Sequence, residues 1–286
     1  MAIDFDRLMA LSIPEIEHSF TRRDTMLYAL GVGVGADPVD ERQLDYVYEA
    51  RLRAVPTFAV MLAYPGFWIR DLDTGIDWAK VVHGEQDLTL HKPLPIEGTV
   101  IGQTRVVDLV DKGEGKGAIV LTRRELYDKA SGDHLASMDN LTFCRGDGGF
   151  GGPARPSARP QPLPEREPDH VVILPTLAQA ALIYRLSGDY NPLHADPGVA
   201  AAAGFPRPIL HGLATYGIAC HALLQAICDY DADRLLSIGV RFSSPVFPGE
   251  TIRVEIFRDG NAIAFRASAV ERDLVVLQNG RARLKH

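Results

Sequence analysis

Between positions 184 and 197 the chain reads YRLSGDYNPLHADP, which sets Asp189, Asn191 and His194 within six residues. Imidazole titrates near neutrality and a partly buried carboxyl can be tuned toward it, so such a pair can exchange protons with a bound molecule. The same residues also suit a plain Asx turn beside a surface histidine, the commoner use of such a segment. The surrounding elements have to decide between these.

Pro192 biases Asn191 away from the helical region, so residues 189–194 cannot form one regular helix. Asp196-Pro197 predicts an N-cap followed by proline at the first helical position, with Gly204 able to stop the helix. Asp196 is therefore read as structural, while Asp189, Asn191 and His194 sit on the loop before that helix. No second histidine or cysteine lies at ligand spacing, so no metal site is expected. No Gly-x-Ser-x-Gly elbow occurs, and Cys220 and Cys228 fall in apolar helical sequence as core residues.

That sequence, RPILHGLATYGIACHALLQAI over 207–227, repeats Leu213, Ile218, Ala219, Leu223 and Ile227 at helical spacing. Ala and Gly fill the other positions, so the helix is apolar nearly all round and must be buried, as if wrapped by a sheet. Gly212 stands at its start, where backbone N–H groups lack intrahelical partners. A ligand carbonyl gathering negative charge could approach those donors closely. A simple helix entry explains Gly212 equally well, and His211 reads as a packing or capping residue.

The chain has 286 residues, 46% hydrophobic and 23% charged, which is the composition of a folded protein. A formal net charge of -7 argues against a nucleic-acid partner. No apolar run reaches the ~20 residues of a membrane span. The acids near the start and the missing basic n-region predict no signal peptide. Three cysteines suit a reducing compartment, and RLKH at the end is not a peroxisomal address, so the cytoplasm is expected.

Residues 146–170, rich in glycine and proline, read as a linker between an N-terminal unit (1–145) and a C-terminal unit (171–286). Each unit begins helix-prone and ends in alternating, strand-like runs. In the first these are 81–91, 99–109, 117–127 and 135–143; in the second, 235–241, 251–257, 262–270 and 274–284. RDGNA makes a hairpin turn. HKPLPIEGTV at 91–100 echoes SSPVFPGETI at 243–252, and YALGVGVGADP at 28–38 echoes the opening motif. Two echoes in the same order suggest duplication. The same comparison sets aside GVGVG as a dinucleotide loop, because its glycines alternate and follow a helix-prone stretch.

YRLSGDYNPLHADP, followed by GFPRPILHGLATYG and RFSSPVFPGETI, resembles the hydratase 2 family, the MaoC-like (R)-specific 2-enoyl-CoA hydratases. The N-terminal half matches too, at YALGVG, VVHGEQDLTLHKPLP, VVDLVDKGEGKGA and GDGGFGG. The resemblance implies an α+β double hotdog, in which each repeat wraps an antiparallel sheet around a central helix, and a homodimer. Units for dehydrogenation and sterol carriage, found in the related multifunctional enzyme, have no counterpart, which suggests a stand-alone form.

The resemblance further implies reversible hydration of a trans-2-enoyl-CoA to a (3R)-3-hydroxyacyl-CoA. Asp189 and His194 would grip the water, Asn191 would orient it, and the Gly212 N–H would bind the thioester oxygen. His83, Gly84, Lys112, Tyr190, Pro192, Leu193 and Phe242 match substrate-contacting positions. CoA is part of the substrate, and neither a metal nor a prosthetic group is required. Catalysis would belong to the C-terminal half and acyl accommodation to the other. The rivals are a dehydratase of a short, branched or dicarboxylic acyl-CoA, a hotdog thioesterase and a non-catalytic acyl-CoA binder.

Overall fold

The structure is a computed structural model that describes residues 3–153 and 162–285. The N-terminal half contains β1 (Ile16–Phe20), β2 (Val81–Leu90), β3 (Gly98–Asp111), β4 (Ala118–Asp128) and β5 (His134–Cys144). The C-terminal half contains β6 (His170–Pro175), β7 (Leu235–Phe242), β8 (Thr251–Asp259), β9 (Ala262–Ala269) and β10 (Leu274–Leu284). Eight of these are the alternating runs expected from the sequence, with boundaries moved by at most two residues. β1 and β6 are additions.

The strands form one sheet in the order β1-β3-β4-β5-β2-β7-β10-β9-β8-β6, every pair antiparallel. Counted within its own half, each half has the same strand order, and the two meet head to head. The seam is β2 against β7, running from Glu85 opposite Arg241 to Thr89 opposite Ser237. Charge ties it as well: Arg241 reaches Glu85 at 2.6 Å and Arg281 of β10 pairs with Asp87. This is the double hotdog that the resemblance implies.

Helices in the first half are α1 (Phe5–Met9), α2 (Arg22–Gly31), α3 (Glu41–Leu44) and α4 (Trp68–Asp71). The second half has α5 (Ala180–Tyr184), α6 (Pro197–Ala202) and α7 (Gly212–Ile227). α7 is buried without a break from Ala214 to Leu224, as its all-round apolar sequence requires. Burying each of its large aliphatic side chains is worth about 1.5–3 kcal/mol. The two helices within the echoed motifs touch across the molecule: Tyr28 of α2 and Tyr184 of α5 have ring centroids 5.8 Å apart.

Asp196 caps α6, accepting from the N–H groups of Gly198 and Val199, and Gly204 follows with φ +86. GVGVG forms the end of α2 and the turn beyond it, with Val32 and Val34 buried. Of the expected linker, residues 154–161 lie outside the described residues. Its first part is fastened to the N-terminal half. Asp111 accepts backbone N–H groups from Gly113, Gly149 and Gly151 at 2.8–2.9 Å. A Cβ on Gly148 would stand 2.5 Å from the Gly113 carbonyl oxygen, so the close approach needs glycine. At the Leu90 end of the seam a cavity of about 250 Å³ opens among Arg53, Pro56, Leu90, Leu94 and Leu235.

Candidate functional site

The loop between α5 and α6 carries the acid and the imidazole. Gly188 turns it at φ +122, and Asn191 then starts a short 3-10 turn, Pro192–His194. The Asn191 side chain caps that turn, its oxygen accepting from the Leu193 N–H at 3.0 Å, while the Asn191 backbone N–H donates to Asp189 Oδ1 at 3.2 Å. The proline, the cap and the Asx turn thus hold Asp189 and aim His194 inward, where it is 8% exposed.

His194 Nδ1–H donates to the Ile209 carbonyl at 2.9 Å, so the lone pair of the neutral ring resides on Nε2. Burial lowers its pKa below the ordinary histidine value, partly offset by the Ile209 bond and the Asp189 charge. The His211 ring stacks on it, centroids 3.7 Å apart. His211 Nε2–H donates to the Asp189 backbone carbonyl at 3.2 Å, which ties the motif to the head of α7. Burial, and then the neighbouring His194, push the His211 pKa down to about 4. Both imidazoles are therefore neutral at pH 7.

Gly212 follows His211 as the first residue of α7. A Cβ there would lie 3.3 Å from the Phe242 ring at the end of β7. That ring in turn stands 4.7 Å from His83 of β2. His83 Nε2 lies 3.1 Å from the Glu85 carbonyl and 2.8 Å from the Asn140 amide nitrogen, and burial takes its pKa to about 4. Gly84 sits beside it, where the β2–β5 pairing slips by one residue. Contacts thus run from His194 through His211, Gly212 and Phe242 to His83, so both halves contribute at this end of the seam. Asp189 is close enough for its charge to act on His83, His194, His211, Tyr64 and Tyr184.

Other expected residues stand further out. Tyr190 is 58% exposed with the Arg185 guanidinium over its ring, and Pro192 is exposed. Leu193 is half-buried. Lys112 lies in the β3–β4 turn, its N–H donating to the Gly117 carbonyl at 3.1 Å. Strand register puts that turn at the same end of the sheet as His83, because Ala118 and Val81 both oppose Cys144.

From the sequence alone His211 is expected as a packing or capping residue. The residue does precede α7 as its N-cap, without a side-chain capping bond, and its ring also completes the buried pair. Among the described residues, two groups could hold a metal ion. Asp189, His194 and His211 have ligand atoms within 4.8 Å of one another, as do His91, Glu125 and His134. In the second group His134 already bonds Glu125 at 2.9 Å.

Residues 18–146 match the MFE-2 hydratase 2 N-terminal domain family and residues 159–279 match the MaoC like domain family. A Mycobacterium tuberculosis protein named as an enoyl-CoA hydratase is 40% identical over 98% of both chains. Peroxisomal enoyl-CoA hydratase 2 of Arabidopsis thaliana is 36% identical over 95% of this chain and 93% of its own. Among solved structures, a MaoC-like dehydratase from Phytophthora capsici superposes with a TM-score of 0.87 at 33% identity, covering 98% of each chain. A Mycobacterium tuberculosis protein with a double hotdog fold shares the fold at a TM-score of 0.58 and 15% identity, over 99% of this chain and 98% of its own. A full-length alignment at such identities, with the two halves matching the two domain families in order, assigns the chain: it belongs to the MaoC-like hydratase 2 family.

Proposed function

We propose that this protein is a hydro-lyase that reversibly hydrates a trans-2-enoyl-CoA to a (3R)-3-hydroxyacyl-CoA. The observation that carries the reading is the His194 ring, locked through Nδ1 so that Nε2 is the basic nitrogen, beside Asp189 and at the mouth of α7. In the forward direction Nε2 takes a proton from water as the water oxygen bonds to C3. The electrons of the C2=C3 bond move toward the thioester, and the Gly212 N–H donates a hydrogen bond to its oxygen as negative charge grows there. The proton taken up by His194 passes to the Asp189 carboxylate, which delivers it to C2, so the pair returns to its starting state and acts as one titrating unit.

His211 holds Asp189 through its backbone, and Asn191 holds the loop. Phe242, His83 and Gly84 form the floor between the halves, with the acyl chain extending toward the N-terminal half. Tyr190, Pro192 and Leu193 line the outer rim, and the Lys112 ammonium serves the CoA phosphates. The reading calls for no prosthetic group. A relative named as a 3-hydroxyacyl-thioester dehydratase, 41% identical over 98% of both chains, points to the same chemistry run backward.

We also place the protein in the cytoplasm, since Cys144, Cys220 and Cys228 are buried and unpaired. A homodimer is supported by an apolar strip left exposed on β6 and around α5, comprising Val171, Ile173, Leu177, Leu182 and Leu186. The test of the activity is loss of enoyl absorbance with crotonyl-CoA and chiral analysis of the alcohol. Asp189→Asn and His194→Ala are each expected to abolish turnover while the protein stays folded. Near-wild-type rates in either variant, or an S alcohol, overturn the assignment.

A further inference from the structure

The inner face of the C-terminal half-sheet is apolar, with Val240, Val254, Ile256, Phe265 and Ala267 all buried, and α7 packs against strands of this half. The equivalent face of the N-terminal half differs. Strand register puts Leu88, Met138, Arg124 and Thr104 in one row across it. Arg124 is only 7% exposed. Its Nη2 donates to the Val60 carbonyl at 2.7 Å and meets Met138 Sδ at 3.2 Å. Its Nε and Nη1 have no acceptor among the described residues, and neither does Oγ1 of Thr104 directly opposite. No carboxylate pairs with it among the described residues. Burial lowers its pKa to about 10, so the group is still a cation at neutral pH. A buried guanidinium without a counter-ion is costly, far more so than a surface arginine.

Its position gives that cost a use. The guanidinium lies under the Tyr64 ring, 5.6 Å from the centroid, and Tyr64 also feels the Asp189 charge. Tyr64 is 45% exposed, and it lies within reach of both the Asp189 charge and the unpaired Arg124 guanidinium. Met61, in the same segment, accepts from Tyr184 Oη at 3.2 Å, which packs this segment against the helix leading into the catalytic loop.

We propose that Arg124 binds a carboxylate at the far end of the acyl chain, making the preferred substrate an ω-carboxy-2-enoyl-CoA. The inference rests on the hydratase reading above and narrows its substrate class. Tyr64 turns aside as the chain enters, the carboxylate takes the free Nε–H and Nη1–H donors, and the Thr104 hydroxyl donates to the same group.

The experiment compares kcat/KM for three homologous series of trans-2-enoyl-CoAs, ending in a carboxylate, its methyl ester or a plain methyl group. Wild-type protein should favour the carboxylate over the ester of equal length by about 10–100-fold at its best length, the scale of a charge-assisted hydrogen bond. Arg124→Met should bring that ratio close to one, and Arg124→Lys should keep part of it. A purely structural arginine would change all three series alike and leave the ratio intact. Absence of a carboxylate preference in the wild type at every length, or its survival in Arg124→Met, overturns the proposal. If none of the series is hydrated, the hydratase reading itself falls and takes this one with it.

Discussion

At the scale of single residues, the site depends on a histidine kept neutral. A protonated His194 cannot accept the proton of water, and burial makes protonation harder. Activity should therefore be lost as pH falls through a value below the ordinary histidine pKa of about 6.5, and should be flat at neutrality. A pH profile of kcat/KM with crotonyl-CoA checks this, and an acidic limb centred above that value would contradict a buried His194 as base. Residue types made Asp189 and His194 readable from the sequence, because six positions and one proline already force them onto a loop. The part played by His211 was not readable. Its ring meets His194 only once α7 is docked, and the 16 intervening positions give no local cue to that stack. Asn191, expected at the water, uses its side-chain oxygen to cap the 3-10 turn, a contact that its position just before Pro192 already suggests.

At the scale of elements, α7 joins a buried apolar rod to the candidate site at its first residue. Gly212→Ala tests that junction. The added methyl would sit 3.3 Å from the Phe242 ring, closer than ordinary contact, so the ring must shift by a few tenths of an ångström. Alanine also favours helix by up to about 1 kcal/mol over glycine. Thermal melting should therefore show an unchanged or slightly higher Tm, while kcat/KM falls by about 10-fold or more. Unchanged kinetics would remove Gly212 from the site. Eight strands were legible because each is a strand-prone run of seven or more residues bounded by turn residues, with clean alternation of burial in β4 and β9. β1 and β6 were not, being short edge strands with one neighbour each, and β6 is mostly exposed. The glycine stretch at 146–152 read as a spacer because glycine looks the same in a free chain and under a clamp. Only Asp111, 35 positions before Gly146, distinguishes the two.

At the scale of the whole molecule, the strip on β6 and around α5 predicts the assembly state. Light scattering should give the mass of two chains for the wild type and one for Ile173→Asp combined with Leu182→Asp. A wild type that is already monomeric would refute the dimer. The duplicated architecture could be read from its echoes, whereas the unlike interiors of its halves could not. In IVLTRREL each face of β4 carries two aliphatic and two polar residues, so alternation does not say that Arg124 points inward. The head-to-head strand order also has a geometric corollary. An approximate two-fold axis between β2 and β7 exchanges the two ends of the seam and carries Phe242, the last residue of β7, onto Leu90, the last of β2. The cavity at Leu90 and Leu235 is thus the twin of the mouth that holds Asp189 and His194. That twin recess is lined by Arg53, Lys92, Asp233 and Lys285 in place of the paired imidazoles, so one scaffold presents two different chemistries at the two ends of its seam.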